Sequence, residues 1–61
     1  MHMRYYAGFK DGELFHDTID MGQDGEFQQP ALYVNEKDAI RERDEYKKFT
    51  KIKLVEVTMV E

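Results

Sequence analysis

The sequence predicts an α+β domain: a small antiparallel sheet of three to four strands in ββ(β)αβ order, with one helix packed on one face. Three observations predict it. An aromatic-rich run, Arg4 to Lys10, is followed by Asp11-Gly12, a dipeptide suited to a two-residue hairpin because a type I′ turn needs positive φ at both central positions. Asn35 then opens a stretch with apolar residues at helical spacing. The chain closes on a β-branched run, Ile52 to Val60.

Each element follows in order. Met1-His2-Met3 matches what a common restriction site encodes at a start codon, so Met1 and His2 are read as a cloning remnant and left out of the fold. Arg4 to Lys10 is the first strand and Glu13 to Met21 its return strand. A two-residue turn pairs Lys10 with Glu13, Phe9 with Leu14 and Gly8 with Phe15. Gly22 to Glu26 reads as a loop, and Pro30 holds Gln29 extended. Ala31 to Val34 is a short apolar run, either an edge strand or core-filling coil. Asn35 is placed to cap the helix through its side-chain oxygen, and the helix runs from Glu36 to Lys48. Glu36 and Asp38 sit at the positive end of its dipole, Lys47, Lys48 and Lys51 at the other. Ala39, Ile40, Arg43, Tyr46 and Phe49 share one stripe, which faces the sheet. Arg43 within that stripe either lays its stem on the core or pairs with Asp17 or a neighbouring carboxylate. The first strand is central, with the second and last strands on either side.

Composition bounds the function. Sixty-one residues make a single domain, 1–61, with room for one thin core. There are 13 acidic and 9 basic residues, a net charge of −4, and no cysteine, so neither a disulfide nor a thiolate metal site supplements that core. No apolar run approaches the ~18 residues of a membrane span, and no secretory signal is visible. The expectation is a cytoplasmic protein with no membrane partner.

Apolar residues occupy both faces of the hairpin. Met3, Tyr5, Ala7, Phe9, Leu14, His16 and Thr18 share one face; Arg4, Tyr6, Gly8, Phe15, Asp17 and Ile19 share the other. One helix covers one face only. The expectation is therefore a homodimer, or an equivalent partner, covering Tyr6, Phe15 and Ile19. The competing expectation is that residues 22–34 fold across that face with Phe27, Leu32 and Tyr33.

Charge is segregated along the chain. Residues 11–26 carry Asp11, Glu13, Asp17, Asp20, Asp24 and Glu26 and no Lys or Arg; residues 47–53 carry Lys47, Lys48, Lys51 and Lys53 and no acid. Either run serves simply as a solvated surface, or the acidic run engages a basic protein partner and the basic run touches phosphate.

Residues able to do covalent chemistry are sparse. His16 is a lone strand histidine, short of the four ligands zinc wants. Asp20 to Glu26 resembles a calcium loop in its first half, but Ala31 stands where the bidentate glutamate belongs. Gly8, Gly12, Gly22 and Gly25 spell no phosphate-binding motif. No catalytic residue, metal or cofactor is expected, so the chain is not read as an enzyme. Tyr5, Tyr6 and Phe9 beside Lys10 form a candidate base-stacking platform, opposed by the net negative charge.

The arrangement Arg4-Tyr5-Tyr6, Asp11-Gly12-Glu13-Leu14, Tyr33-Val34-Asn35-Glu36-Lys37-Asp38-Ala39 and Lys53-Leu54-Val55-Glu56-Val57 resembles small uncharacterised ββαβ proteins of bacteriophage genomes. The resemblance spans most of the chain as a layout and carries no catalytic residues. It implies a setting in which small proteins bind and redirect or inhibit a host or defence protein. The expected function is a non-enzymatic protein-binding module, a small inhibitor or modulator acting through the acidic hairpin. The alternative is a nucleic-acid-binding accessory protein using the four lysines.

Overall fold

The structure is a computed structural model that describes residues 2–60. Its elements are β1 (His2–Lys10), β2 (Glu13–Leu14), β3 (His16–Asp20), β4 (Glu26–Pro30), β5 (Leu32–Tyr33), α1 (Glu36–Asp44) and β6 (Lys51–Thr58), with one 3-10 turn at Gly22–Asp24. The fold is α+β, with β1 central in the main sheet. β6 pairs with β1 over eight residues, from His2↔Thr58 to Phe9↔Lys51. The other side of β1 is shared by β2 and β5, both antiparallel to it. β3 and β4 form a separate two-stranded ladder.

The first turn is as the residues dictate. Asp11 and Gly12 adopt φ of 54° and 81°, and the pairs Phe9↔Leu14 and Lys10↔Glu13 form. The return strand does not continue to Met21 along β1, however. It leaves β1 at Phe15, pairs with β4 instead, and comes back at Ala31. A closed ring of three backbone hydrogen bonds fixes this branch point. Phe15 N–H donates to Gly8 O, Gly8 N–H to Ala31 O, and Ala31 N–H to Phe15 O, each at 2.9 Å. β2 and β5 thus behave as two halves of one edge strand, with a hairpin inserted between them. That insertion satisfies every backbone group at the junction, which is why the chain can depart there without leaving an orphan donor. His2 lies within β1, opposite Thr58, so the strand extends to it; Met1 falls outside the described residues.

The core is small. Its buried apolar residues are Ala7, Ala31, Ala39 and Phe49. Phe49 stands on Gly8, where an added Cβ would lie 2.5 Å from the ring. It meets Phe15 and Tyr33, each with ring centroids 6.1 Å away. The helix and the segment after it therefore cover the face that bears Tyr6, Gly8 and Tyr33. Burial raises the Tyr33 phenol pKa above its usual value, and the Glu42 carboxylate adds to the effect.

The helix is shorter than its spacing predicts. It ends at Asp44, and Lys47 takes φ of 57° while Lys48 N–H donates to Glu42 O, a left-handed close with no glycine to announce it. Phe49 is consequently buried from beyond the helix, while Ile40 and Tyr46 of the predicted stripe are exposed. Asn35 does sit at the N-cap with extended backbone, but its side chain makes no capping hydrogen bond. Arg43 bonds its neighbour Asp44 at 2.7 Å rather than Asp17, and this hydrogen bond holds the Asp44 carboxyl below its usual range. No helix among the described residues is long and apolar enough to cross a membrane.

Candidate functional site

The inserted hairpin, β3–β4, projects as an arm. Its ladder has five residue pairs, His16↔Pro30 to Asp20↔Glu26, or roughly 17 Å of strand. The radius of gyration is 12.7 Å, against ~10.5 Å for a compact chain of this length. Three ties hold the arm at its base. One is the hydrogen-bonded ring at Gly8, Phe15 and Ala31. The second is the Phe15–Phe49 contact. The third is Lys48 Nζ, which donates to Asp17 Oδ2 at 3.1 Å and lies 3.6 Å from Glu42. The Asp17 hydrogen bond raises the Lys48 pKa above its usual value. Beyond the base the arm packs on itself. Ile19 faces Phe27, and Gln28 Nε2 donates to Thr18 Oγ1 at 2.9 Å. Two-stranded ribbons of this kind are marginal in water alone, so the base is what orders it.

The tip combines charge with apolar surface. Gly22 N–H donates to Asp20 Oδ1 at 2.8 Å, and Gly22 and Gly25 take φ of 68° and 87°, values that favour glycine. This turns the Asp20–Glu26 segment through a short 3-10 turn and leaves Asp20, Asp24 and Glu26 exposed. Beside them Met21 is 49% and Phe27 45% exposed. Lys and Arg are absent from residues 11–30, so nothing on the arm itself neutralises the tip.

The six acids are not one surface. Asp20, Asp24 and Glu26 gather at the tip, Asp11 and Glu13 lie at the β1–β2 turn, and Asp17 is held by Lys48 at the arm's base. The four lysines also divide. Lys48 is held within the chain, and Lys47 occupies the left-handed helix close. Lys51 and Lys53 flank β1, with Lys53 Nζ 5.1 Å from the centroid of the Phe9 ring. Tyr6 and Phe15, expected to await a partner, lie on the face that Phe49 and the helix cover, and Ile19 has left the main sheet for the arm. Residues 22–34 do not fold across that sheet; they build the arm and β5.

The apolar surface left open is the opposite face. Met3, Tyr5, Val57 and Met59 line a hollow of about 210 Å³ there. A second hollow of about 260 Å³ is lined by Phe9, Asp11, Gly12, Thr50, Lys51 and Lys53. The two faces of β1 are as the sequence partitions them, but the helix covers the Tyr6 face rather than the Tyr5 face, and Ile19 lies on neither. The exposure of Met21 and Phe27 beside the tip carboxylates had no sequence signal, because single apolar residues in a polar loop carry no periodicity. His16 places Nδ1 3.1 Å from Leu14 O, and no group of three or more His, Asp or Glu side chains converges among the described residues. Comparison of the chain with protein families, with curated proteins and with solved structures gave no match.

Proposed function

We propose that this chain is a non-enzymatic protein-binding module, an inhibitor or modulator of a host or defence protein, and that the β3–β4 arm is its binding element. The observation that carries the reading is the arm's tip: Met21 and Phe27 stand half exposed beside three carboxylates, on an element anchored only at its base. An apolar anchor rimmed by like charge suits a basic partner with an apolar cleft. The acids speed and orient the encounter, and the apolar side chains supply contact area. Asp11, Glu13 and Asp17 lie elsewhere, so the proposed contact set narrows to Asp20, Asp24 and Glu26 with Met21 and Phe27.

A second reading rests on the open sheet face. Tyr5 and Phe9 lie along β1 with Lys51 and Lys53 beside them, an arrangement able to stack bases and meet phosphate. Asp11 in the same hollow and the net charge of −4 oppose it. A photo-crosslinking residue at Phe27, and separately at Tyr5, distinguishes the two in host extract. Protein adducts from position 27 that are competed by unlabelled chain support the arm. Nucleic-acid adducts from position 5, with none from 27, favour the second reading.

A further inference from the structure

The arm is a two-stranded ribbon, and its register fixes which backbone groups are used within it. Ala31 N–H donates to Phe15 O at the base, and Met21 N–H donates to Gly25 O at the tip. Alternate residues of an antiparallel pair turn inward, so Asp17 and Ile19 bond across to Gln29 and Phe27. His16, Thr18 and Asp20 therefore direct N–H and C=O away from β4, while Glu26, Gln28 and Pro30 turn away from β3. Among the described residues no further strand pairs with either edge. The two edges differ. On the β4 side Pro30 has no N–H to offer, and Gly25, with φ of 87°, interrupts the edge at the tip. The β3 side presents three N–H and three C=O groups in unbroken register. It carries none of the lysine, proline or bulges that ordinarily blunt an edge.

We infer, resting on the arm as the binding element, that its β3 edge takes up an extended strand of the partner whose residues alternate between cationic and apolar. Backbone pairing supplies the affinity in such an addition, and the side chains on the two faces of the ribbon select the sequence. Those faces are chemically distinct. Ile19 and Phe27 stand opposite each other on one, Asp20 and Glu26 on the other. Like charges directly opposite repel, and no Lys or Arg between residues 11 and 30 relieves this pair. A strand laid against β3 sets one side chain beside Asp20 on the acidic face and the next beside Ile19 on the apolar face. A cation suits the first position and an aliphatic side chain the second. Asp17 is already held by Lys48, so the cation is called for at the tip rather than at the base. The ribbon itself gains from the addition: two strands are marginal in water, and independent stability takes three with an apolar face.

The probe is a peptide of about eight residues alternating Lys and Val, with a peptide of the same composition in two blocks as control. Amide hydrogen exchange of the whole chain, at up to millimolar peptide, reads the pairing residue by residue. The expected result is exchange slowed tenfold or more at Thr18 and Asp20 by the alternating peptide and not by the block peptide, with Glu26 and Gln28 unchanged. The chain is short enough for chemical synthesis, so the backbone amide of Thr18 can be replaced by an ester, which removes the outward donor and keeps every side chain. That replacement should weaken peptide binding about tenfold, and the same replacement at Gln28 should leave it unchanged. If the Thr18 ester does not fold, exchange in the unmodified chain decides. Protection at Gln28 in place of Thr18, equal weakening by both esters, or no slowing at either edge overturns the proposal. Peptide binding that is lost when Asp20→Asn, Asp24→Asn and Glu26→Gln are combined, yet leaves Thr18 unprotected, also overturns it while keeping the arm as the binding element. A lack of protein adducts from position 27 overturns the arm itself.

Discussion

Gly8→Ala tests the packing on which the arm depends. The glycine has no unusual φ, so its role is space: Phe49 Cδ1 would lie 2.5 Å from the new methyl, about 1 Å inside contact distance. Phe49 is 2% exposed and wedged between Phe15 and Tyr33, so it cannot withdraw freely. Overpacking of this kind costs ~1–3 kcal/mol, and the trapped ring places the change near 2 kcal/mol. For a chain this size, total stability is on the order of 3–9 kcal/mol, and the melting temperature should fall by roughly 8–16 °C. The cause is separable from a general effect of the substitution. In a Phe49→Leu background the clash is gone, and Gly8→Ala should be neutral or stabilising by up to ~1 kcal/mol through lost unfolded-state entropy. Denaturant melts of the four proteins in the cycle give the coupling energy directly. A cost below ~0.5 kcal/mol in the parent, or an equal cost in both backgrounds, would mean that the Phe49 ring does not set the limit at Gly8.

Other outcomes follow from the same geometry. Asn35→Ala should cost only a few tenths of a kcal/mol in chemical melts, below the ~1 kcal/mol of a working cap, because its side chain makes no capping bond. Lys48→Met should remove about 1 kcal/mol or less from the body and act mainly on the arm, seen as faster proteolysis or amide exchange at residues 17–29, with a smaller effect at Glu42 of α1. Tyr33 and Lys48 both have raised pKa values in the fold, so each favours its protonated form there. Their contribution is complete below the unfolded values, and stability should hold through neutral and mildly alkaline pH, then fall above about pH 10. Tyr33→Phe should blunt that fall in melting temperature measured against pH.

The hairpin register, the central place of β1, the helix start after Asn35 and the closing strand were all legible, because local turn chemistry and β-branched runs specify them. The arm was not. Gln28, Gln29 and Pro30 form a strand with solvent on both sides, so no alternation marks it. Pro30 is tolerated at the end of a ladder where its missing N–H is not required. The helix end was hidden because a lysine, not a glycine, takes the left-handed position. Which face the helix covers turned on Gly8 making room for Phe49, a contact 41 residues apart in sequence. At the candidate site, the segregation of acid was visible in the sequence. Its division was not, because the Asp17–Lys48 pair spans 31 residues.

The role of the arm is tested most directly by association kinetics with the partner that crosslinks at Phe27. Asp20, Asp24 and Glu26 are changed together to Asn, Asn and Gln, substitutions that leave the fold intact because all three are exposed and an amide oxygen at position 20 still accepts from Gly22 N–H. At low salt the variant should associate at least tenfold more slowly, within the ~10–10³ range of electrostatic steering. At 1 M salt, where the screening length is about 3 Å, the two proteins should converge. Equal or faster association by the variant at low salt would contradict the acidic arm and leave the binding to the lysine-bearing face.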